Sequence, residues 1–333
     1  MTNLSVFLTA SAGMRPGAAA LRRGDVTTSF SVLSSDVARF ADYLVDAGLR
    51  LDDRVAVMLP NRPELAVVFY GVLQAGGVVV LMSPSLSARA VEFCLTVTGA
   101  RILFFTHPHA AATTLAAGTA GTQPVSIGRR GIRPLTAGFA GRTQPVPRDD
   151  IDTAVILQRS GTSSIELTHE NLTQNQAVAA RSLLNLGPDD LVLTCLPLYK
   201  GFGLTCGLLA TVYAGVTLAL LPRFDAAKAL KMIASERVTV FEGTPAMYTA
   251  MLRAADRYDL DFSSLRLCIS SAAMPAIRCA DSRTGSTPSC GSATPRFPQA
   301  RQARKRHHRR RIDRSPAAGV IPRRHPRQRP TET

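Results

Sequence analysis

Length, composition and charge exclude several classes of protein. The chain has 333 residues, of which 46% are hydrophobic, and six scattered cysteines that form no C-x-x-C pair. This favours a globular protein with a large core and reduced thiols, and excludes a dense disulfide framework. The net charge of +15 is uneven, because residues 276–333 contain 15 Lys and Arg against 3 Asp and Glu and leave the first 275 residues at +3. The basic character therefore belongs to the C-terminal segment and not to the globular body.

Three apolar stretches are candidates for export or membrane insertion. No basic run precedes Leu4–Ala12, so we expect no signal peptide there. Leu65–Met82 and Leu204–Leu221 are each interrupted by a glycine-containing turn signal and then continue as short strand-like runs. This pattern is typical of a buried helix, a turn and a buried parallel strand. We therefore expect no transmembrane segment and a cytoplasmic location.

Strand and helix patterns alternate along the first 275 residues. The predicted strands are Val55–Leu59, Val78–Met82, Ile102–Thr106, Val125–Ile127, Thr153–Leu157, Leu191–Leu196, Val216–Leu221, Val238–Glu242 and Leu267–Ser270. The predicted helices are Ser34–Ala47, Arg62–Gln74, Ala88–Val97, Glu170–Leu184, Gly203–Val212, Ala226–Glu236 and Ala246–Tyr258. Such alternation predicts an α/β fold with doubly wound parallel sheets flanked by helices.

The same patterns predict the domain organisation. Residues 1–150 and 151–275 form two α/β subdomains, joined through Ala110–Arg148, which is rich in Ala, Gly, Thr and Pro and predicts a loop-rich link. Residues 276–333 contain seven prolines and no leucine. They cannot bury enough apolar surface to offset the entropy of ordering, so we expect a disordered Arg/Pro-rich tail.

The strongest functional signal follows the predicted strand Ala154–Leu157. The chain there enters a Ser/Gly/Thr turn, Ser160-Gly161-Thr162-Ser163, and a Thr-His-x-Asn-Leu segment beginning at Thr168 opens a helix. A turn of this kind at the carboxyl end of a strand exposes hydroxyl and backbone N–H groups, which can hold phosphate.

Six segments together resemble one enzyme family, the acyl-CoA synthetases or fatty-acid–CoA ligases of the adenylate-forming, AMP-binding superfamily. They are Gly48–Glu64, Gln74–Pro84, Ser160–Leu172, Leu196–Leu204, Arg237–Tyr248 and Leu265–Pro275. The family's phosphate loop reads Ser-Gly-Thr-Thr-Gly-x-Pro-Lys-Gly-Val-x-x-Thr-His-x-Asn-Leu. Here only Ser163–Leu167 lies between Ser-Gly-Thr and Thr-His, so the Gly-x-Pro-Lys-Gly core is absent.

The resemblance implies a set of site residues. Those implied to bind the nucleotide cofactor are Ser160, Gly161, Thr162, Ser163, Thr168, Ser270, Ser271 and Ala272. Those implied to bind the acyl substrate are Tyr199, Lys200, Phe202, Gly243 and Thr244. Two positions depart from the family pattern, because Lys200 stands where the family has His and Ser271 where it has Gly. A lysine at a pocket mouth can pair with a carboxylate or phosphate, and it can equally be a surface residue after a turn.

The resemblance also implies the reaction and its cofactors: ATP and Mg²⁺ activate a fatty acid, which is then transferred to CoA. The resemblance ends at about Pro275. The Mg²⁺-binding Glu of Gly-Tyr-Gly-x-Thr-Glu, the ribose-binding Asp of Tyr-x-Thr-Gly-Asp and the C-terminal domain with the family's catalytic lysine have no match, so no catalytic or metal-binding residue is assigned. We therefore expect a truncated, inactive or severely impaired ligase, frameshifted after about residue 275.

Two other functions stay open at this stage. The chain is a non-enzymatic remnant that binds an acyl group or a nucleotide, or its basic tail binds nucleic acid without sequence preference. Aromatic residues that stack on bases are nearly absent from the tail, where Phe297 stands alone, so we expect no specific nucleic-acid partner. The sequence leaves the acyl chain length and the oligomeric state undetermined.

Overall fold

The computed structural model describes residues 3–106, 110–141, 144–158, 164–255 and 257–271. All of these residues lie within one compact unit. The predicted disordered tail, 276–333, lies outside the described residues, so its disorder stays a prediction.

Twelve strands in the described part of the chain form two six-stranded sheets. The first sheet contains β1 (Ala19–Arg23), β2 (Val26–Ser29), β9 (Leu191–Thr194), β10 (Thr217–Leu220), β11 (Val240–Gly243) and β12 (Leu267–Ser270), in the order β12-β11-β9-β10-β1-β2. The second contains β3 (Arg54–Met58), β4 (Val78–Leu81), β5 (Ile102–Phe105), β6 (Gln123–Ser126), β7 (Thr153–Gln158) and β8 (Ser164–Thr168), in the order β6-β5-β3-β4-β7-β8.

The α-helices pack around these sheets. They are α1 (Val6–Met14), α2 (Phe30–Asp46), α3 (Pro63–Gln74), α4 (Ala88–Thr98), α5 (Ala110–Thr119), α6 (Arg133–Thr136), α7 (His169–Val178), α8 (Ala210–Ala214), α9 (Ala226–Ser235) and α10 (Pro245–Ala255). Two π-helical segments, Ala179–Leu183 and Gly203–Leu209, continue α7 and precede α8. The predicted α/β architecture is therefore confirmed, with the two long predicted helices after His169 and Gly203 each containing a π-helical stretch.

The sheets are mixed rather than wholly parallel, since each has one antiparallel pair at an edge. β2 pairs antiparallel with β1, and β8 pairs antiparallel with β7. The central strands β3, β4 and β5 are parallel, and their apolar side chains are buried on both faces. A short connection can join antiparallel neighbours, whereas parallel neighbours need a longer crossover, and an antiparallel edge strand on an otherwise parallel sheet is common.

One predicted loop is corrected by the structure, and one strand beside it was not predicted. Part of Ala110–Arg148, which was predicted to be a loop-rich link, forms the helix α5, because the alanines of that stretch favour a helix over the turn that its Thr and Gly residues indicate. The unpredicted strand is β8, which precedes the helix that begins at His169. Ile165 and Leu167 alternate with polar residues in β8, which pairs with β7 before α7 begins.

Each sheet takes strands from both sides of residue 150. β1 and β2 join the sheet of β9–β12, and β7 and β8 join the sheet of β3–β6. The predicted domain boundary at residue 150 stays a prediction. The order of the strands places residues that are distant in sequence at the same edge of a sheet. Among the described helices, none has the length and hydrophobicity that crossing a bilayer requires.

Candidate functional site

A cavity of about 290 Å³ lies where strands of both sheets end. β3, β4, β9 and β10 stop within a few residues of its walls. The lining residues are Pro60, Asn61, Pro84, Ser85, Cys195, Pro197, Tyr199 and Pro222. Open α/β sheets bind ligands beyond the carboxyl ends of their strands, so this cavity is the candidate site.

Asn61 joins the two sheets beneath this cavity. Its side chain is 3% exposed, and its amide nitrogen donates to the Leu196 carbonyl at 2.8 Å while its amide oxygen accepts from the Leu198 backbone N–H at 3.0 Å. These two hydrogen bonds hold the segment that carries Tyr199 and Lys200. Asn61 therefore has a structural role here.

Two glycines bring this segment against the strand that precedes the phosphate-type turn. A methyl group on Gly201 would lie 3.6 Å from Leu157 Cδ1 in β7. A methyl group on Gly203 would lie 2.3 Å from the Pro197 carbonyl oxygen, which no real Cβ atom does. Close packing of the backbone at Gly203 therefore fixes the turn before the π-helix, and Gly201, the residue after Lys200, lies against Leu157 of β7.

Five residues, 159–163, connect β7 to β8. Ser160, Gly161, Thr162 and Ser163, predicted to bind the cofactor, lie outside the described residues, and so does Ala272. Their roles stay predictions. The structure does show where the turn begins, since β7 runs parallel to β4 and delivers Gln158 to the same edge of the sheet as the cavity.

Thr168, the fifth predicted cofactor residue in this region, caps α7. Its hydroxyl accepts from the Asn171 backbone N–H at 3.1 Å, and its own N–H donates to Asn171 Oδ1 at 3.2 Å. This reciprocal pair is a capping box, which satisfies two N–H groups at the start of the helix. The next residue, His169, is buried and accepts from the Leu4 backbone N–H at 3.1 Å through Nδ1.

The His169 ring is neutral and has a structural position. Burial, and next the positive charge of Arg148, lower the pKa of His169 to about 4. A neutral imidazole can accept the Leu4 N–H, which a doubly protonated ring cannot. The Thr-His pair therefore anchors α7 and ties the N-terminal segment to it.

The ends of β11 and β12 bring three predicted residues together. Gly243 pairs with Ser270 in register, and the Ser271 backbone N–H donates to the Gly243 carbonyl at 3.1 Å. The Tyr248 hydroxyl lies 3.0 Å from the Phe241 carbonyl and 2.7 Å from the Ile269 carbonyl, which fixes both strands just before this edge. Ser270, Ser271 and Gly243 thus form one continuous edge, and their predicted binding roles stay predictions.

The predicted acyl-site residues differ in exposure. Tyr199 and Phe202 are partly buried against the core, whereas Lys200 is exposed. The Thr244 hydroxyl accepts from the Met247 backbone N–H at 3.4 Å and so caps α10. Of this group, Tyr199 lines the cavity directly.

Glu242 was not predicted as a site residue, yet the structure buries this carboxylate completely in β11. Its side chain is 0% exposed, and neither carboxyl oxygen has a hydrogen-bond partner in the described part of the chain. It precedes Gly243 in β11 and pairs in register with Thr194 of β9. In the sequence, Glu242 is a lone carboxylate within the apolar run Val240–Gly243. The predicted strand Val238–Glu242 gave it no role in the site.

Burial also determines the protonation states of Glu242 and Cys195. It raises the pKa of Glu242 from 4.5 to about 8, and the nearby Thr194 hydroxyl opposes that rise without reaching hydrogen-bond geometry with either oxygen. Burial, and next the neighbouring Glu242, raise the pKa of Cys195 to about 12. Cys195 is therefore a neutral thiol in the cavity wall and not a nucleophile.

Comparison with known proteins agrees with this architecture. A family model described as AMP-binding enzyme matches residues 8–284, which extends beyond the end at about Pro275 expected from the sequence motifs. A feruloyl-CoA synthase from an Amycolatopsis species is 33% identical over 276 residues, which cover 80% of this chain and 53% of that protein. A long-chain-fatty-acid–CoA ligase of Bacillus subtilis is 29% identical over 311 residues, which cover 82% of this chain and 56% of that protein.

Solved structures give the same assignment. The inhibitor-bound N-terminal domain of FACL13 from Mycobacterium tuberculosis matches with a TM-score of 0.77 at 27% identity, over 83% of this chain and 71% of that chain. This chain spans about half the length of the curated relatives it matches. The family model covers most of the residues that carry the two sheets and the cavity between their strand ends. The chain therefore belongs to the AMP-binding enzyme family, in which its relatives include acyl-CoA and fatty-acid–CoA ligases.

Proposed function

We propose that this chain binds a carboxylic acid and an adenine nucleotide as an acyl-CoA ligase does, and that by itself it does not adenylate the acid. In the full reaction the carboxylate attacks the α-phosphate of ATP, pyrophosphate leaves, and a thiol then displaces AMP from the acyl adenylate. The observation that carries the binding half of the proposal is the cavity lined by Tyr199, next to the edge formed by Gly243, Ser270 and Ser271.

The five-residue connection between β7 and β8 supports the second part of the proposal, that the chain by itself does not adenylate the acid. In the family pattern this connection contains a Gly-x-Pro-Lys-Gly core, and the chain has none. Only four lysines are present, Lys200, Lys228, Lys231 and Lys305, and none lies in that turn. Catalysis of this reaction depends on charges positioned around the phosphates, and removal of one such group costs ~10²–10³ in rate.

The segment that follows β9 offers a cation to an acid or a phosphate. Lys200 is an exposed cation beside the strand that leads into the phosphate-type turn, where it can pair with a carboxylate or phosphate. The described residues include no group of three or more His, Cys, Asp or Glu side chains that could hold a metal ion.

Calorimetric titration of the full chain with 3-phenylpropanoate and with AMP tests the binding half. We expect each to bind, and Lys200→Met to weaken the acid by about tenfold, because one charge-assisted hydrogen bond is lost. Lys228→Met is the matched control, since Lys228 is likewise an exposed lysine but lies on α9 and not beside Tyr199. Equal losses in both variants, or no binding to the wild-type chain, would contradict the proposal.

A further inference from the structure

A second cavity, of about 360 Å³, lies at the opposite end of β9 and β10 from the candidate site. Gly215 precedes β10 and lines this cavity, whereas Pro222 follows the same strand and lines the candidate site. Pro188 and Pro197 stand in the same relation to β9. Because a four-residue strand is roughly 13 Å long, the two cavities are separate places on the molecule.

The charged groups of this second lining are cationic. Arg15, at the end of α1, and Arg181, in the π-helix Ala179–Leu183, contribute guanidinium groups, and among the described residues the lining contains no Asp or Glu. Asp189 is the residue after Pro188 and is exposed, but it does not line the cavity. The positive charge of the lining is therefore not balanced by a carboxylate within it.

Arg15 is fixed at the cavity wall by two backbone carbonyls. Its Nη1 atom donates to Pro188 at 2.8 Å and to Gly215 at 3.0 Å. Cationic side chains often satisfy carbonyl groups at helix ends in this way, and α8 ends directly before Gly215. These bonds use one of the three guanidinium nitrogen atoms, and Nε and Nη2 donate to no described residue. Arg15 therefore keeps N–H donors for a bound anion, in a position that the chain itself sets.

Arg181 is held by stacking and not by hydrogen bonds. Its guanidinium carbon lies 5.2 Å from the centre of the Tyr213 ring, and Phe7 packs against the same ring with 5.4 Å between centroids. Arg181 forms no hydrogen bond or ion pair with any residue that the structure describes. Stacking on an aromatic face orients a guanidinium and leaves its in-plane N–H groups available. Helix capping explains Arg15 in part, but it does not explain this second cation at the same cavity.

Three apolar residues complete the lining that a ligand would meet. They are Met14, Leu186 and Pro188. Met14 is 72% exposed, and Leu186 is half-buried against the core. A methionine side chain adapts to ligands of different shape at low cost. The cavity therefore combines two fixed cations with an apolar wall.

We propose that this second cavity binds a small amphipathic anion. Arg15 and Arg181 hold its phosphate or carboxylate, because the planar donor fork of arginine matches both groups. Its apolar part lies against Met14, Leu186 and Pro188. The volume falls within the range of small-molecule pockets, about 300–1,000 Å³. This site does not depend on the proposed function, since the candidate site lies at the other end of the strands.

Calorimetric titration of the full chain with phenyl phosphate tests the site. We expect Arg181→Met to weaken binding at least about tenfold, because charge-assisted hydrogen bonds are lost. Arg253→Met is the matched control and should leave the affinity unchanged, since Arg253 is an exposed arginine on α10 and does not line the cavity. Phenylacetate in place of phenyl phosphate shows which of the two anionic groups the arginines prefer. Benzyl alcohol, which has no charge, and inorganic phosphate, which has no apolar part, should each bind at least about tenfold more weakly than the tighter of the two aromatic anions.

A second variant keeps the test independent of any effect of Arg181 on folding. Met14→Glu places a carboxylate at the rim of the cavity on an exposed side chain, and should weaken phenyl phosphate at least about fivefold, whereas Met14→Gln should change little. No binding to wild type, or equal losses in Arg181→Met and Arg253→Met, would overturn the site. If Lys200→Met weakens phenyl phosphate and Arg181→Met does not, the anion binds at the candidate site, and the second site is overturned while the proposed function stands.

Discussion

The pH dependence of stability provides a direct physical test of the buried Glu242 carboxyl. Its pKa is about 8 in the folded chain against an ordinary value of 4.5, so folding favours the protonated form. The stabilising contribution is therefore complete below pH 4.5 and is lost as the pH rises through 8. The difference between these two pKa values corresponds to about 5 kcal/mol in the free energy of unfolding. This stability is lost at roughly 1.4 kcal/mol per pH unit between pH 4.5 and 8.

Glu242→Gln removes this dependence, since an amide does not titrate and has nearly the same shape. We expect the free energy of unfolding, measured by urea denaturation between pH 5 and 7.5, to fall with pH more steeply in wild type than in the variant. The difference between the two curves should change by about 3 kcal/mol over that range.

His169 also makes the free energy of unfolding depend on pH, but with the opposite sign. Comparing wild type with Glu242→Gln removes this contribution. Burial lowers its folded pKa from 6.5 to about 4, so its contribution is present above pH 6.5 and is lost as the pH falls through 4. This contribution is shared by wild type and Glu242→Gln, and it cancels in their difference. Parallel unfolding curves for the two proteins between pH 5 and 7.5 would refute the assignment of a buried, protonated Glu242.

Three further substitutions test the framework of the site, each by urea denaturation of the full chain. Gly203→Ala should unfold the chain or destabilise it by more than about 3 kcal/mol, because its Cβ would lie 2.3 Å from the Pro197 oxygen. The control is Gly118→Ala in α5, which should be neutral or stabilising because its Cβ meets nothing within 4 Å. Asn61→Ala should cost about 2–3 kcal/mol, since two buried hydrogen bonds are lost, and a cost below 1 kcal/mol would contradict its bridging role. Thr168→Ala should cost about 1 kcal/mol through loss of the helix cap, and no change would contradict the capping geometry.

The core of the fold was predictable because its signals are local and strong. The apolar runs at β3, β4 and β5 each follow a helix with apolar periodicity or a turn signal, and the structure places them as buried parallel strands. The N-terminal strands β1 and β2 were missed. Arg22 and Arg23 and the Thr-rich Val26–Ser29 give no alternating apolar pattern, and these strands form by joining β10 from a distant part of the chain.

The candidate site was predictable in part, because some of its residues lie in local sequence motifs. Motif resemblance identified Tyr199, Gly243 and Ser270, which the structure brings to one end of the sheets. It did not identify Glu242, since that residue occupies a variable position in the motif and its importance comes from burial without a partner. The predicted roles of Ser160–Ser163 and Ala272, and the predicted change of reading frame after residue 275, remain predictions.

Acid-dependent release of pyrophosphate is the measurement that tests the central claim most directly. The full chain, incubated with ATP, Mg²⁺ and an acid shown by titration to occupy the cavity, should release none above background, because the turn between β7 and β8 lacks the Gly-x-Pro-Lys-Gly core. Release that depends on the acid and is abolished by Thr162→Ala would contradict the claim, and would show that the shortened turn still positions the phosphates for adenylation.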